Sequence, residues 1–289
     1  MANKGYYLLI PVWIICFAPA ITLGQSPADT TGIGSSDTAA RGSVKIGLGY
    51  NSGLNYFGRT DSLRSSGFYP SLEWDLKDGL YFSSNFIFEN NQQSSLQYAA
   101  TILEGGYKFS SSGQHFSGNL FISKFLYAGN SALVQSAIQE QTGVNLSFLN
   151  QVVDINLGGD IKFSDQADWG LTAGLDHIIR FGSLFGKDVL VLDPSVYFYG
   201  GTQHFTNTYF KKINVLFIPI TQQQENQQIN KFGLLAWECS VPVVLAINKL
   251  DFILDPAYIT PENVIQPSGR DSGPGAGLFY LNLQVTYRF

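Results

Sequence analysis

The sequence predicts an all-β protein, an antiparallel transmembrane β-barrel of about twelve strands, with ten or fourteen as alternatives. Three observations support this. Apolar and polar residues alternate along most of the chain, as in strands with two different faces. Charged residues make up only 13% of the chain and aromatic residues 14%, whereas a usual globular domain is about 25% charged. After the N-terminus no apolar run approaches the roughly twenty residues of a membrane-spanning helix, so a membrane crossing must use strands.

The last strand shows the alternation most clearly. In GLFYLNLQVTYRF, apolar residues fill every second position from Phe279 to Phe289, and residues such as Asn282, Gln284 and Arg288 lie between them. In lipid every backbone donor and acceptor must be paired within the protein, which requires a closed barrel. We therefore expect this strand to pair with the first one, near residues 44–56.

A soluble sheet with one wet face would give the same alternation, and a β-sandwich is the alternative fold. Two features favour the membrane barrel. The alternating segments run to about ten to fourteen residues, whereas globular strands average nearer five or six. Their apolar faces also begin or end on aromatic residues, as in strands whose barrel has aromatic girdles.

The connections between the predicted strands are of two alternating kinds. Short turns are expected near residues 77–79, 110–114, 149–152, 182–187 and 248–249, and long loops over residues 127–140, 202–230 and 260–276. Short turns at one end and long loops at the other are typical of outer-membrane barrels, in which the strand number is even. A further pair of strands within residues 208–220 would raise the number to fourteen.

The N-terminal region differs from the rest of the chain. Residues 1–24 predict a secretory signal peptide with a short apolar stretch, and the alternative is an uncleaved helical anchor. Residues 25–42 predict a flexible periplasmic leader, and residues 43–289 the barrel. Removal of the signal takes Cys16 with it, which leaves Cys239 alone and therefore no intrachain disulfide and no zinc site.

The C-terminal segment LQVTYRF resembles the assembly signal of bacterial outer-membrane β-barrel proteins. The resemblance implies that Phe289, Tyr287, Val285 and Leu283 are recognised by the barrel-insertion machinery, and that the protein lies in the outer membrane of a Gram-negative cell. The general style resembles uncharacterised barrels of the Bacteroidota type. Membrane lipid and lipopolysaccharide are then partners, and the long loops suit a surface or periplasmic protein partner. The net charge of −5 argues against nucleic acid.

The polar face of the strands is expected to line the barrel interior, where charges of both signs occur with acids in excess. By alternation the lumen receives Lys45, Glu73, Asp75, Glu104, Lys108, Asp154, Asp160, Lys162, Asp176, Arg180, Glu238, Asp251 and Asp255. Such charges either pair and plug a narrow barrel or line a path for ions and polar solutes. The favoured function is a narrow channel or binding site for small polar solutes. The alternative is a non-conducting barrel that serves as a structural element or partner platform.

An enzymatic function is the remote alternative. In QHFSGN, His115 and Ser117 lie two residues apart with Asn119 next, which resembles the motif of outer-membrane phospholipases. Here Gly118 separates the serine from the asparagine, and alternation places His115 and Ser117 in the lumen, away from acyl chains. The three histidines are far apart and form no metal-binding motif. The sequence therefore predicts no enzyme, no cofactor and no metal.

Overall fold

The computed structural model describes residues 42–93, 95–113, 115–129, 131, 133–181, 188–212, 229–265 and 275–289. The predicted signal peptide and leader lie outside these residues, apart from Gly42, and remain predictions. Most of the suggested extra pair of strands within residues 208–220 also lies outside them, and the described part of that segment belongs to a helix.

Seventeen β-segments, one α-helix and two 3₁₀ turns make up the described chain. The strands are β1 (Ser43–Asn51), β2 (Asn55–Tyr56), β3 (Arg59–Thr60), β4 (Ser66–Asp75), β5 (Leu80–Asn90), β6 (Gln97–Ser110), β7 (Phe116–Tyr127), β8 (Glu140–Phe148), β9 (Asp154–Phe163), β10 (Ala167–Asp176), β11 (Ile179–Phe181), β12 (Asp188–Leu192), β13 (Ser195–Gly201), β14 (Gly233–Ser240), β15 (Val243–Ile247), β16 (Leu250–Pro261) and β17 (Leu278–Arg288). The 3₁₀ turns are Lys77–Gly79 and Val134–Ala137, and the helix α1 is His204–Lys212. No described helix is long and apolar enough to span a membrane.

Three of the barrel strands are each interrupted once. Segments β10 and β11, β12 and β13, and β14 and β15 are successive parts of single strands, so the fifteen segments of the main sheet correspond to twelve barrel strands (15 − 3 = 12). Two of the interruptions contain a proline, Pro194 and Pro242, whose nitrogen has no hydrogen to donate to the ladder. Their carbonyls still accept, from His177 N at 3.2 Å and Asp193 N at 3.0 Å. The prediction of twelve antiparallel strands is confirmed.

The sheet closes on itself through the last strand. β17 pairs with β16 on one side and with β1 on the other, from Lys45 opposite Arg288 to Asn51 opposite Asn282. Beyond the ladder, the Phe289 nitrogen donates to the Val44 carbonyl at 2.9 Å. The first strand ends at Asn51 and not at Tyr56, because residues 52–65 leave the wall and form a loop that contains the small β2–β3 hairpin.

The two ends of the barrel differ. The turn end carries the chain termini of the barrel and short connections such as Lys77–Gly79 and residues 248–249. The loop end carries residues 52–65 and the described parts of the connections that follow β7, β13 and β16. This arrangement agrees with the predicted alternation of short and long connections.

The two faces of the wall also differ. Large apolar side chains are exposed on the outer face, among them Leu48, Trp74, Ile122, Trp169 and Phe279. Their neighbours in sequence point inward and are mostly buried and polar. An apolar outer surface around a polar interior reverses the usual arrangement of a water-soluble protein and is typical of barrels whose outer face contacts lipid.

Candidate functional site: the barrel lumen

On one side of the lumen, two lysines pair with two carboxylates. Lys45 lies directly opposite Glu73 in the β1–β4 ladder, and its Nζ is 3.0 Å from Glu73 Oε1 and 3.1 Å from Asp75 Oδ2. Lys108 reaches the same two carboxylates from β6, at 3.0 Å and 2.9 Å. Glu104 accepts hydrogen bonds from Tyr81 and Ser123. Buried charges are tolerated when they are paired in this way, so this cluster offers little free charge to a solute.

Neutral polar side chains extend this cluster around the lumen. Asn119 donates to the Tyr81 hydroxyl at 3.1 Å and accepts from Asn145 at 3.1 Å. Farther along, Ser147 donates to Asn156, which donates in turn to Asp176. The lumen wall is therefore held by hydrogen bonds between strands as well as by the backbone ladder.

The opposite side of the lumen is acidic. We call Asp154, Asp176, Asp193, Glu238 and Asp255 the acid wall; each is between 2% and 7% exposed. Each acid but Asp193 accepts a hydrogen bond from a neutral donor, namely Asn150 N, Asn156, Tyr280 and Asn282. In the part of the chain that the structure describes, none of the five forms an ion pair. The acid excess of the interior is thus concentrated on one side.

The remaining predicted lumen charges lie toward the two ends. Lys162 pairs with Asp160, and its Nζ is 5.5 Å from the centroid of the Phe57 ring. Arg288 pairs with Asp251 at 2.7 Å, near the turn end. Arg180 lies in the short segment β11, all three residues of which are exposed, so it is separated from the buried set.

A buried cluster contributed by three loops fills the loop end of the lumen; we call it the plug. Its members include Tyr56 and Phe57 of the first loop, Val134 and Ile138 of the connection between β7 and β8, and Phe205 of α1. The Phe205 ring meets the Tyr56 ring edge to face, with centroids 4.8 Å apart. The plug packs against inward side chains of the wall, including Tyr199, Ile259 and Tyr280. Because these contacts are apolar, the burial of these side chains stabilises the plug.

Arg59 ties the plug to the wall. Its guanidinium donates to the carbonyls of Phe57, Leu235 and Glu262 and to Gln203 Oε1, at 2.9–3.3 Å. Burial lowers the pKa of the Arg59 guanidinium to about 10, which leaves it charged at neutral pH. A single cation thus joins the first loop, the segment before α1, and the connection after β16.

Asp168 fixes the start of α1. Its carboxylate accepts from the backbone nitrogens of His204 and Phe205 at 2.7 Å and 2.8 Å, and from Thr202 Oγ1 at 2.7 Å. A carboxylate at this position accepts hydrogen bonds from helix donors that otherwise have no partner. It is also stabilised by the partial positive charge at the start of the helix. The helix is therefore anchored to β10 and holds Phe205 in the plug.

The four residues of the predicted assembly signal share the outer face of β17. Leu283, Val285, Tyr287 and Phe289 are all exposed, and the Tyr287 and Phe289 rings meet at 4.8 Å between centroids.

His115 is exposed at the turn end, while the amide of Asn119 is hydrogen-bonded to Tyr81 and Asn145. The phospholipase-like residues are thus not joined into one hydrogen-bonded group by these contacts.

Sequence reasoning missed several of the residues that shape the lumen. Asp193 was overlooked because it lies where the alternation breaks before Pro194, and Asp168 because it lies at the end of a strand. Arg59 lies in a loop, where alternation gives no information. Among the described residues, no group of three or more histidine, cysteine or carboxylate side chains is arranged to hold a metal ion.

No family model matches the chain, and no curated protein matches it. Many solved structures are similar at low identity, among them the following three. A KdgM porin has 9% identity and a TM-score of 0.45, covering 86% of this chain and 99% of its own. A NanC porin has 9% identity and a TM-score of 0.44, covering 84% and 98%. LpxR from Salmonella typhimurium has 13% identity and a TM-score of 0.43, covering 85% and 99%.

The arrangement of the strands and faces identifies the kind of protein without reference to these structures. A β-sheet without a free edge, an apolar outer surface and a polar interior occur together where the outer face contacts lipid. The chain folds as a closed, twelve-stranded antiparallel β-barrel of the outer-membrane type.

Proposed function

We propose that the protein is an outer-membrane channel that admits small polar solutes to its lumen and favours cations over anions. The observation that carries the proposal is the closed barrel with an apolar outside and a polar, acid-rich interior. Acidic rings and walls raise the local concentration of cations and exclude anions. The plug at the loop end makes the path narrow and restricts passage to small solutes.

Assembly in the outer membrane is part of the proposal. The exposed aromatic end of β17 suits recognition by the barrel-insertion machinery, and the apolar outer face suits membrane lipid and lipopolysaccharide. The loops at the other end, where the plug is formed, are the segments that a surface protein partner would meet.

A non-conducting barrel is the second candidate, and the plug is the observation that favours it. Tyr56, Phe57 and Phe205 are all buried at the loop end, and a permanently closed plug would leave a barrel that serves only as a structural element or partner platform. The same loops would then be a docking surface and not a gate.

Conductance in planar bilayers tests the proposal. The purified barrel is inserted into a neutral bilayer, and current is recorded under a tenfold KCl gradient. We expect small single-channel steps and a reversal potential of the sign that a cation-selective pore gives, because the acid wall attracts K⁺. Anion-selective currents would contradict the proposed selectivity, and a barrel that inserts but stays silent at every voltage would favour the second candidate.

A further inference from the structure

We infer that the acid wall binds an organic ammonium or guanidinium ion inside the barrel. The inference names the class of solute and to that extent rests on the proposed function. Its starting point is the missing countercharge: on the other side of the lumen Lys45 and Lys108 pair with Glu73 and Asp75, while the acid wall has no ion pair among the described residues. Buried carboxylates without a cation are costly, because they lose water and gain no opposite charge.

The acid wall is continuous across five neighbouring strands. Asp154 lies opposite Asp176 in the β9–β10 ladder, and the carboxyl groups of Asp176 and Asp193 lie within hydrogen-bonding reach of each other. Glu238 and Asp255 continue the wall on β14 and β16. Like charges this close repel each other, so a proton or a cation between them lowers the energy.

The polar atoms left without a partner point to the chemistry of the ligand. Among the described residues, Asp255 Oδ1 and Gln284 Oε1 are buried without a hydrogen-bond partner, and Asp176 Oδ2 and Asp193 Oδ1 are buried with no donor beyond the neighbouring carboxyl group. All four are acceptors, so the occupant that satisfies them must bring N–H or O–H donors. A positively charged occupant with several N–H donors meets both requirements at once.

An independent observation comes from Tyr199, which does not belong to the acid wall. Its side chain is 1% exposed, its hydroxyl has no hydrogen-bond partner in the part of the chain that the structure describes, and it interacts electrostatically with Glu238 and Asp255. A buried tyrosine hydroxyl usually finds a partner. An occupant at the acid wall supplies one to Tyr199 and to the carboxylates beside it.

The wall between the acids is lined by small residues. Ser195, Ser240 and Ala257 lie in register on β13, β14 and β16. These short side chains contrast with the tyrosines of the next layer toward the loop end, Tyr197 and Tyr199. A slender alkylammonium chain therefore fits this level of the lumen better than a bulky solute does. A bare metal ion does not suit the site, because the described carboxylates do not converge in a group that could hold one.

Calorimetric titration of the full barrel in detergent micelles tests the inference. Putrescine is the probe, and 1,4-butanediol, which has the same backbone without charge, and Ca²⁺ are the comparison ligands. We expect putrescine to bind and butanediol not to bind. The double variant Asp193→Asn and Asp255→Asn should weaken putrescine binding by about tenfold or more. The control double variant Asp78→Asn and Glu140→Gln removes the same charge from exposed positions and should leave binding unchanged.

Each outcome of the titration either supports or overturns the inference that the acid wall binds an organic cation. Equal losses in the two double variants, or Ca²⁺ binding as tightly as putrescine, would mean nonspecific attraction and overturn the inference, as would the absence of putrescine binding. If the acid-wall double variant fails to shift on an unboiled gel and so is unfolded, the single variants Asp193→Asn and Asp255→Asn replace it, and the wild-type ligand series still decides. A silent barrel that binds putrescine contradicts only the channel, and a conducting barrel that does not bind it contradicts only this inference.

Discussion

At the scale of single residues, the barrel contains ion pairs in two different environments, one buried and one exposed. Lys45 and Lys108 pair with Glu73 and Asp75 inside the barrel, whereas Lys124 pairs with Glu140 where both side chains are about half exposed. The physical difference is access to water. Breaking an exposed pair costs the protein little stability, whereas breaking a buried pair leaves an unpaired charge that water does not reach.

Lys45→Met tests this difference. We expect it to lower the free energy of unfolding by about 3 kcal/mol or more, because Glu73 and Asp75 then share only Lys108. Lys124→Met, the matched variant at the exposed pair, should cost less than about 1 kcal/mol. Urea unfolding followed by tryptophan fluorescence in lipid vesicles measures both. Similar losses for the two variants would contradict the assignment of Lys45 to a water-excluded cluster.

Glycines opposite inward tyrosines are a second feature at this scale. Gly49, Gly106 and Gly174 lie directly across the ladder from Tyr69, Tyr81 and Tyr197. In each pair the tyrosine ring lies over the glycine, where a Cβ atom would overlap it. The absence of a side chain lets the ring lie flat on the neighbouring strand and fill the lumen wall.

Gly106→Ala should therefore disturb both β7 and Tyr81, because the new Cβ would overlap the carbonyl oxygen of Leu120 and lie 2.6 Å from the Tyr81 ring. We expect a loss of about 1–3 kcal/mol in stability from overpacking, together with loss of the hydrogen bonds that Tyr81 shares with Glu104 and Asn119. Gly129→Ala is the control, since nothing lies within 4 Å of its added Cβ. Unfolding in urea again measures the change, and a stability of Gly106→Ala equal to wild type would argue against the close packing.

At the scale of elements, the loops determine what the lumen does. The plug joins the first loop, the 3₁₀ turn Val134–Ala137 and α1, and Arg59 holds it to β14 and to the connection after β16. These segments are far apart in sequence and have no shared pattern. Their function depends on their meeting inside the barrel.

Arg59→Ala should loosen the plug and raise single-channel conductance, on the order of twofold or more. The reason is that the plug is the constriction that limits ion flow through the proposed channel. Arg64→Asn is the control: Arg64 is exposed in the same loop with a positive φ of 50°, which asparagine tolerates. Planar-bilayer recording compares the two. Unchanged conductance of a correctly folded Arg59→Ala variant would show that the plug does not limit the current.

At the scale of the whole molecule, closure depends on the last strand. β17 is the single partner that joins β16 to β1, and Phe289 extends the contact to the Val44 carbonyl. If this strand does not dock, the barrel has two open edges whose backbone groups cannot be satisfied in lipid. The C-terminal residues therefore matter for assembly and for the final structure.

Deletion of Phe289 tests the assembly role. We expect the variant to accumulate poorly in the outer membrane of the expressing cell, while the same chain refolded from urea into detergent still forms a barrel. Cell fractionation and migration on unboiled gels measure the two outcomes, because a folded barrel migrates anomalously until it is boiled. Failure of both would point to a loss of stability and not to a recognition signal, and normal accumulation in cells would contradict the proposed role.

Much of the fold follows from the sequence alone. Alternation identified the wall, its two faces and the number of strands, and the last strand indicated closure. The physical reason is local: a strand that separates lipid from a polar lumen must change polarity at every second residue. The same rule placed Lys45, Glu73 and Asp255 on the inner face before any contact between them was known.

Only the tertiary structure decided how those residues meet. It placed Lys108 beside two acids on β4 and gave Asp176 and Asp255 no cation among the described residues, because spacing along one strand does not specify contacts across the lumen. It also brought Asp193 into the acid wall beyond a proline break, and it turned Arg59 and Phe205 inward to close the loop end. Alternation is a property of each strand by itself, whereas pairing, plugging and binding depend on distances across the barrel, which are set only when the first and last strands join.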